Sequence, residues 1–132
     1  MLGYLDFLFL SYSGRIGRLP YWLSTLGLGV AQCGAMGLMV WLAHGTLADL
    51  HSDPQAMKAA VLMHVMLPVG IVWLLFLYPT YAVTTKRWHD RDKSGWWSLI
   101  AFVPLIGGLW ALIELGFLGG TEGANSYGEG LY

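Results

Sequence analysis

The stretch Leu19–Ala48, LPYWLSTLGLGVAQCGAMGLMVWLAHGTLA, contains no Asp, Glu, Lys or Arg. A hydrocarbon core about 30 Å thick takes roughly 20 helical residues to cross, and this run exceeds that length. Its apolar body lies between Trp22 and Leu42. Pro20 suits the first helical position, where a missing N–H costs nothing. Tyr21 and Trp22 stand where aromatic side chains mark entry into a bilayer, and Trp41 where they mark exit.

Two further windows repeat the pattern. Ala59–Thr85 contains no Asp, Glu, Lys or Arg, and Asp53-Pro54 before it reads as an N-cap followed by proline in the first turn. From Pro54 to Ala82 a helix would run about 43 Å, longer than the core, so tilt, a kink or a protruding end is expected. Pro68 and Pro79 are the kink sites, each removing a hydrogen bond to the carbonyl four residues back. The third window, Ser94–Thr121, has Glu114 as its one charge. Ser94 is a candidate cap, Trp96-Trp97 an interfacial belt, and Pro104 with Gly107-Gly108 the place where bending or unwinding is expected. A straight helix would carry Glu114 about 26 Å from Trp97, to the far interface. These windows predict an all-α integral membrane three-helix bundle, one domain over 1–132, with spans at about 20–43, 58–83 and 96–118. At the N-terminus, Leu2, Leu5, Phe9 and Tyr12 recur at helical spacing and predict an amphipathic helix lying on the membrane.

Composition agrees. Of 132 residues 56% are hydrophobic and 11% charged, against the roughly 25% charged that a soluble domain uses to cover its surface. The net charge of −1 implies no nucleic-acid partner. Cys33 is the single cysteine, so no intrachain disulfide can form. Met1–Leu10 is apolar but interrupted by Asp6 and preceded by no basic residue, so it reads as mature sequence rather than a signal peptide. With three spans, Arg15, Arg18, Lys86, Arg87, Arg91 and Lys93 fall on one side and Lys58 on the other. That asymmetry predicts a cytoplasmic N-terminus and second loop, with an external first loop and C-terminal tail.

Two motifs stand out: Gly14-Arg15-Ile16-Gly17-Arg18 running into Tyr21-Trp22, and Lys86-Arg87-Trp88-His89-Asp90 running through Arg91 and Lys93 into Ser94-Gly95-Trp96-Trp97. With Val103-Pro104-Leu105-Ile106-Gly107 and the tail Asn125-Ser126-Tyr127-Gly128, they resemble the domain of unknown function 805 family, small bacterial inner-membrane proteins. The resemblance covers Gly14 to Gly128 and implies membrane location and topology, without a biochemical activity. In that family's pattern Arg-Arg-Leu-His-Asp stands where this chain has Lys86-Arg87-Trp88-His89-Asp90, and an acid is frequent at the place of Pro20.

Function must be sought in the basic segments. Arg15, Arg18, Lys86, Arg87 and Arg91 are expected to form a cytoplasmic surface for anionic lipid, each worth about 1 kcal/mol. A sharper alternative is a pocket in which Arg15 and Arg87 clamp a phosphate or carboxylate, with Asp90 or Asp92 holding the guanidinium groups and Trp88 as a wall. His89-Asp90 invites an acid–base reading, but neighbours on a helix do not face each other, and a structural role in the loop is the preferred reading. His44, Asp49, His51, Asp53 and His64 match no compact metal motif, so neither metal nor cofactor is expected. The rows Gly27-Ala31-Ala35 and Gly29-Cys33-Gly37 would let helices approach closely, within the chain or toward a second copy or membrane partner. The sequence thus favours a non-enzymatic protein that associates with lipid or a partner. An oligomeric transport component comes second, and an enzyme acting on lipid head groups third.

Overall fold

The computed structural model describes residues 2–48 and 53–131. Asp49 and His51, named above as metal candidates, lie outside the described residues. The chain forms α1 (Leu2–Phe9), α2 (Arg18–Ala48), α3 (Pro54–Val61), α4 (Leu67–Asp90) and α5 (Ile106–Leu112), with a 3₁₀ helix at Gly95–Phe102 and π turns at Leu62–Met66 and Ile113–Phe117. Among the described residues there is no β-strand; Asn125 and Gly128 form an isolated bridge. Two helical segments are long and apolar enough to cross a membrane, Arg18–Ala48 and Pro54–Asp90, and Ile106–Phe117 is a shorter apolar one. At 1.5 Å per residue the two long ones run about 46 and 56 Å, so each extends past a 30 Å core.

The chain divides into two compact units, one comprising 1–27 and 78–132, the other 28–77. In the second unit, Asp53 caps α3 as the sequence suggests, its carboxylate accepting from Gln55 N (2.9 Å) and Ala56 N (3.2 Å), with Pro54 at the first position. The π turn ahead of Pro68 is closed by Leu67 N donating five residues back to Leu62 O. Proline cannot bond four residues back and its ring crowds that carbonyl, so a widened turn just before it is the physical adjustment. α4 then passes through Pro79 unbroken. The described side chains of this unit face mostly outward, and a Cβ added at Gly29, Gly34, Gly37 or Gly70 would meet nothing within 4 Å.

The first unit departs from a third straight span. The 3₁₀ helix is capped by Ser94, whose hydroxyl accepts from Trp96 N, and it ends at Val103. Leu105 takes a positive φ of 65° at the turn, and α5 then packs back on the 3₁₀ helix. The contact is so close at Gly107 that a Cβ there would overlap the Ile100 carbonyl. Lys93 and Glu114, about 31 Å apart along a straight α-helix, are joined by a 2.7 Å ion pair. The window 94–121 is therefore a helical hairpin that leaves α4 at Asp90 and returns to it, with Thr121 N donating to Asp90 O at 2.8 Å. Pro104 and Gly107 do mark the break. The break reverses the chain because the left-handed Leu105 and the missing Cβ at Gly107 allow two short limbs to touch.

Two expectations change with it. Glu114 sits beside Arg91 and Lys93, not at a far interface. The C-terminal tail lies against Arg15, on the same side as the basic segments and not opposite them. α1 stops at Phe9, closed by Leu10 N donating to Asp6 O, so Tyr12 lies beyond it and packs edge-on against Tyr78 and Tyr81.

Candidate functional site

The centre of the first unit is the carboxylate of Asp90, fully buried at the end of α4. Arg15 donates to its Oδ1 from Nε (3.2 Å) and Nη2 (3.0 Å), and Arg87 donates to its Oδ2 from Nη1. Both arginines are buried, Arg15 at 5% and Arg87 at 0% exposure. One carboxylate cannot balance two guanidinium groups, and charges taken out of water are costly unless every donor is matched. The remaining donors are matched by backbone carbonyls.

Arg15 continues from Nη1 to Gly123 O (2.7 Å), Glu129 O (3.2 Å) and Gly128 O (3.4 Å), and from Nη2 to Thr121 O (2.7 Å) and Thr121 Oγ1 (3.1 Å). The tail is thereby wrapped around one side chain. A second set of carbonyls comes from the end of the returning helix. Leu115 O accepts from Arg87 Nε (2.8 Å), Gly116 O from Trp22 Nε1 (3.1 Å) and Phe117 O from Arg18 Nη1 (3.4 Å). Leu118 O accepts from Arg87 Nη2 and Gly119 O from Arg91 Nη1. A helix C-terminus leaves carbonyls without intrahelical donors and carries a partial negative charge, so it attracts guanidinium groups. Lys86 applies the same logic to α1: fully buried, its Nζ donates to Leu8 O (2.7 Å) and to Ser11 O, and it lies 5.3 Å from the Phe7 ring.

His89 and Asp90 do not act on each other. The His89 Nδ1–H donates to Gly14 O (3.2 Å), and the ring stacks on Tyr127 at 3.9 Å with planes 5° apart. Asn125 Nδ2 donates to His89 O (2.8 Å) and Thr121 Oγ1 (2.7 Å). Gly120 passes so close to Asp90 that a Cβ there would overlap the carboxylate. Trp88 is fully buried against Trp97 (6.1 Å between centroids), with Lys93 Nζ 5.5 Å from its ring. Asp92 stands aside from the arginines: it is exposed, and its Oδ1 accepts from Ser126 N (3.1 Å).

The structure thus brings Arg15, Arg87, His89, Asp90 and Trp88 together as an internal lock. The carboxylate that Arg15 and Arg87 clamp is the chain's own. Arg15, Lys86 and Arg87 do not form the open cationic surface expected from sequence, because the helix ends and Asp90 hold them inside. Arg18 remains exposed, while Arg91 and Lys93 keep 24% and 29% side-chain exposure around Glu114. Residue counting missed the carbonyls of 115–119, Gly120 and Thr121. The signal available for them was the tail pattern Asn125-x-Tyr127-Gly128, part of the motif set by which the chain resembles its family.

Comparison with known proteins places these same residues in a family. The family described as protein of unknown function (DUF805) matches residues 9–129. The inner membrane protein YhaI of Escherichia coli K12 is 32% identical, covering 92% of this chain and 86% of its own. The inner membrane protein YhaH of the same organism is 28% identical over 91% of this chain and 86% of its own. The uncharacterized protein YiiR, also from that organism, is 32% identical over 90% and 84%. No solved structure matches.

Proposed function

The chain belongs to the DUF805 family of membrane proteins, and from that premise we propose that it sits in a bacterial inner membrane by two spans, with α1, the Asp90 lock and the C-terminal tail all cytoplasmic. It works there by association with anionic lipid rather than by catalysis. One observation carries the reading: the buried lock uses up Arg15, Lys86 and Arg87 and leaves Arg18 exposed and Arg91 and Lys93 part-exposed around Glu114, with Lys93 Nζ 5.4 Å from the ring of exposed Trp97. Cations next to indole rings are the composition of a membrane interface. The six-to-one distribution of basic residues supports the cytoplasmic side. Two crossings also put both termini on that side, as the tail's seat on Arg15 requires.

Arg18 separates this reading from a purely structural one. It makes one long bond to a carbonyl and no contact with Asp90 among the described interactions, so Arg18→Ala leaves the lock intact. Native mass spectrometry of protein gently released from membranes should show retained anionic lipid in the wild type. The variant should show about five-fold less, the equivalent of the roughly 1 kcal/mol carried by a basic residue near an anionic surface. Equal retention in both proteins would end the lipid reading.

A further inference from the structure

The hairpin 95–117 is the part of the first unit that neither the lock nor the lipid-facing cations explain. Its two limbs match in length. Eight residues of 3₁₀ helix rise about 16 Å at 2.0 Å each. Residues Ile106–Phe117, α5 with its π turn, rise about 18 Å at 1.5 Å each. Half of a 30 Å hydrocarbon core is about 15 Å. Each limb is therefore about as long as one leaflet is thick.

The side chains are graded in the same way. At the root are the charges, Lys93 and Arg91 paired with Glu114. Next come Trp96, 75% exposed, and Trp97, at the level where indole rings favour the interface. At the far end are exposed Phe102, Ile106 and Leu105, the last 95% exposed. An isolated leucine at the tip of a turn is a poor choice in water and a natural one in acyl chains. The backbone fits too. Val103 N donates to Ile100 O, Ile106 N to Pro104 O and Gly107 N to Val103 O, and Pro104 has no N–H, so the turn gives few unpaired donors to lipid. The limbs touch directly, because Gly107 lets α5 lie on the Ile100 carbonyl.

We infer that Gly95–Phe117 is a re-entrant hairpin immersed in the acyl chains of the leaflet nearest the Asp90 lock, with Leu105 close to the bilayer midplane. This rests on the membrane reading above and adds a surface to it: the occupant of the hairpin's apolar outer face is lipid hydrocarbon. Charge at the root, indole above it and aliphatic tip give the same order as a leaflet from head group to chain end.

The test is spin-label depth measurement on the full chain in bilayer nanodiscs, with Cys33→Ser removing the native thiol. Labels are placed singly by Leu105→Cys, by Leu109→Cys on the outer face of α5, and by Glu122→Cys in the tail. Labels at 105 and 109 should relax strongly with oxygen and weakly with a water-soluble nickel chelate, with 105 the deeper. The label at 122 should show the opposite. Nickel access at both 105 and 109 would make the hairpin a water-exposed cap and overturn the inference. Protection of both from oxygen and nickel alike would mean a protein surface, such as a second copy, covers the hairpin, and would equally overturn it. If Leu105→Cys does not fold, Leu109→Cys decides alone. Labelling of Glu122→Cys in intact cells by an impermeant maleimide would instead overturn the cytoplasmic assignment, whatever the depth at 105.

Discussion

Replacing Asp90 with asparagine should be the most damaging single isosteric change in the chain. The side chain keeps its shape, but one of its two oxygens becomes an NH₂ group. Arg15 approaches one oxygen and Arg87 the other, so in either amide orientation one guanidinium faces a donor. All three side chains are buried, and breaking a buried ion pair costs about 3–5 kcal/mol because the remaining charge is left without compensation. The carbonyls of Thr121 and Gly123 still hold Arg15, which argues for the lower half of that range. A loss of about 3–4 kcal/mol is a large part of the 5–15 kcal/mol of a typical fold. Steric-trapping unfolding in bicelles measures it directly, and limited proteolysis of the tail reports the same loss locally. Asp92→Asn is the control, an exposed carboxylate accepting one backbone N–H, expected to change stability by less than about 1 kcal/mol. If Asp90→Asn and Asp92→Asn behave alike, the lock does not hold this fold.

The hairpin and its root yield two more expectations. Gly107→Ala drives a Cβ into the Ile100 carbonyl and should cost about 1–3 kcal/mol. Its neighbour Gly108→Ala, with open space around it inside α5, should be neutral or gain up to about 1 kcal/mol; similar thermal midpoints for the two would contradict the packing described. Glu114→Gln removes two ion pairs from a buried carboxylate whose partners Arg91 and Lys93 stay partly exposed, a loss of about 1.5–3 kcal/mol. A loss above about 3 kcal/mol in the same unfolding assay would show that this carboxylate is more deeply built into the fold than its exposure indicates.

Much of the molecule is legible in the sequence. The lengths of Leu19–Ala48 and Ala59–Thr85, the Asp53-Pro54 cap and the breaking residues Pro104 and Gly107 are local signals, read within a turn or two of helix. The motif carried by Arg15, Lys86–Asp90 and Asn125–Gly128 was visible as a pattern, but its purpose was not. Five cations read as one outward patch because sequence shows charge and not the acceptors that will meet it. Those acceptors are mostly carbonyl oxygens of 115–119 and of the tail, which every residue possesses and no residue type announces.

What the sequence by itself determined is the solvent and the helical character: an all-α chain with too little charge for water and three apolar windows each long enough for a bilayer. Hydropathy and helical length depend only on neighbouring residues. Tertiary structure alone decided that the third apolar window turns back on itself and that Arg15, Lys86 and Arg87 point inward. A hairpin and a span have the same hydropathy. They differ in contacts between distant residues, Gly107 on Ile100, Lys93 on Glu114 and Thr121 on Asp90, and these exist only once the chain has folded.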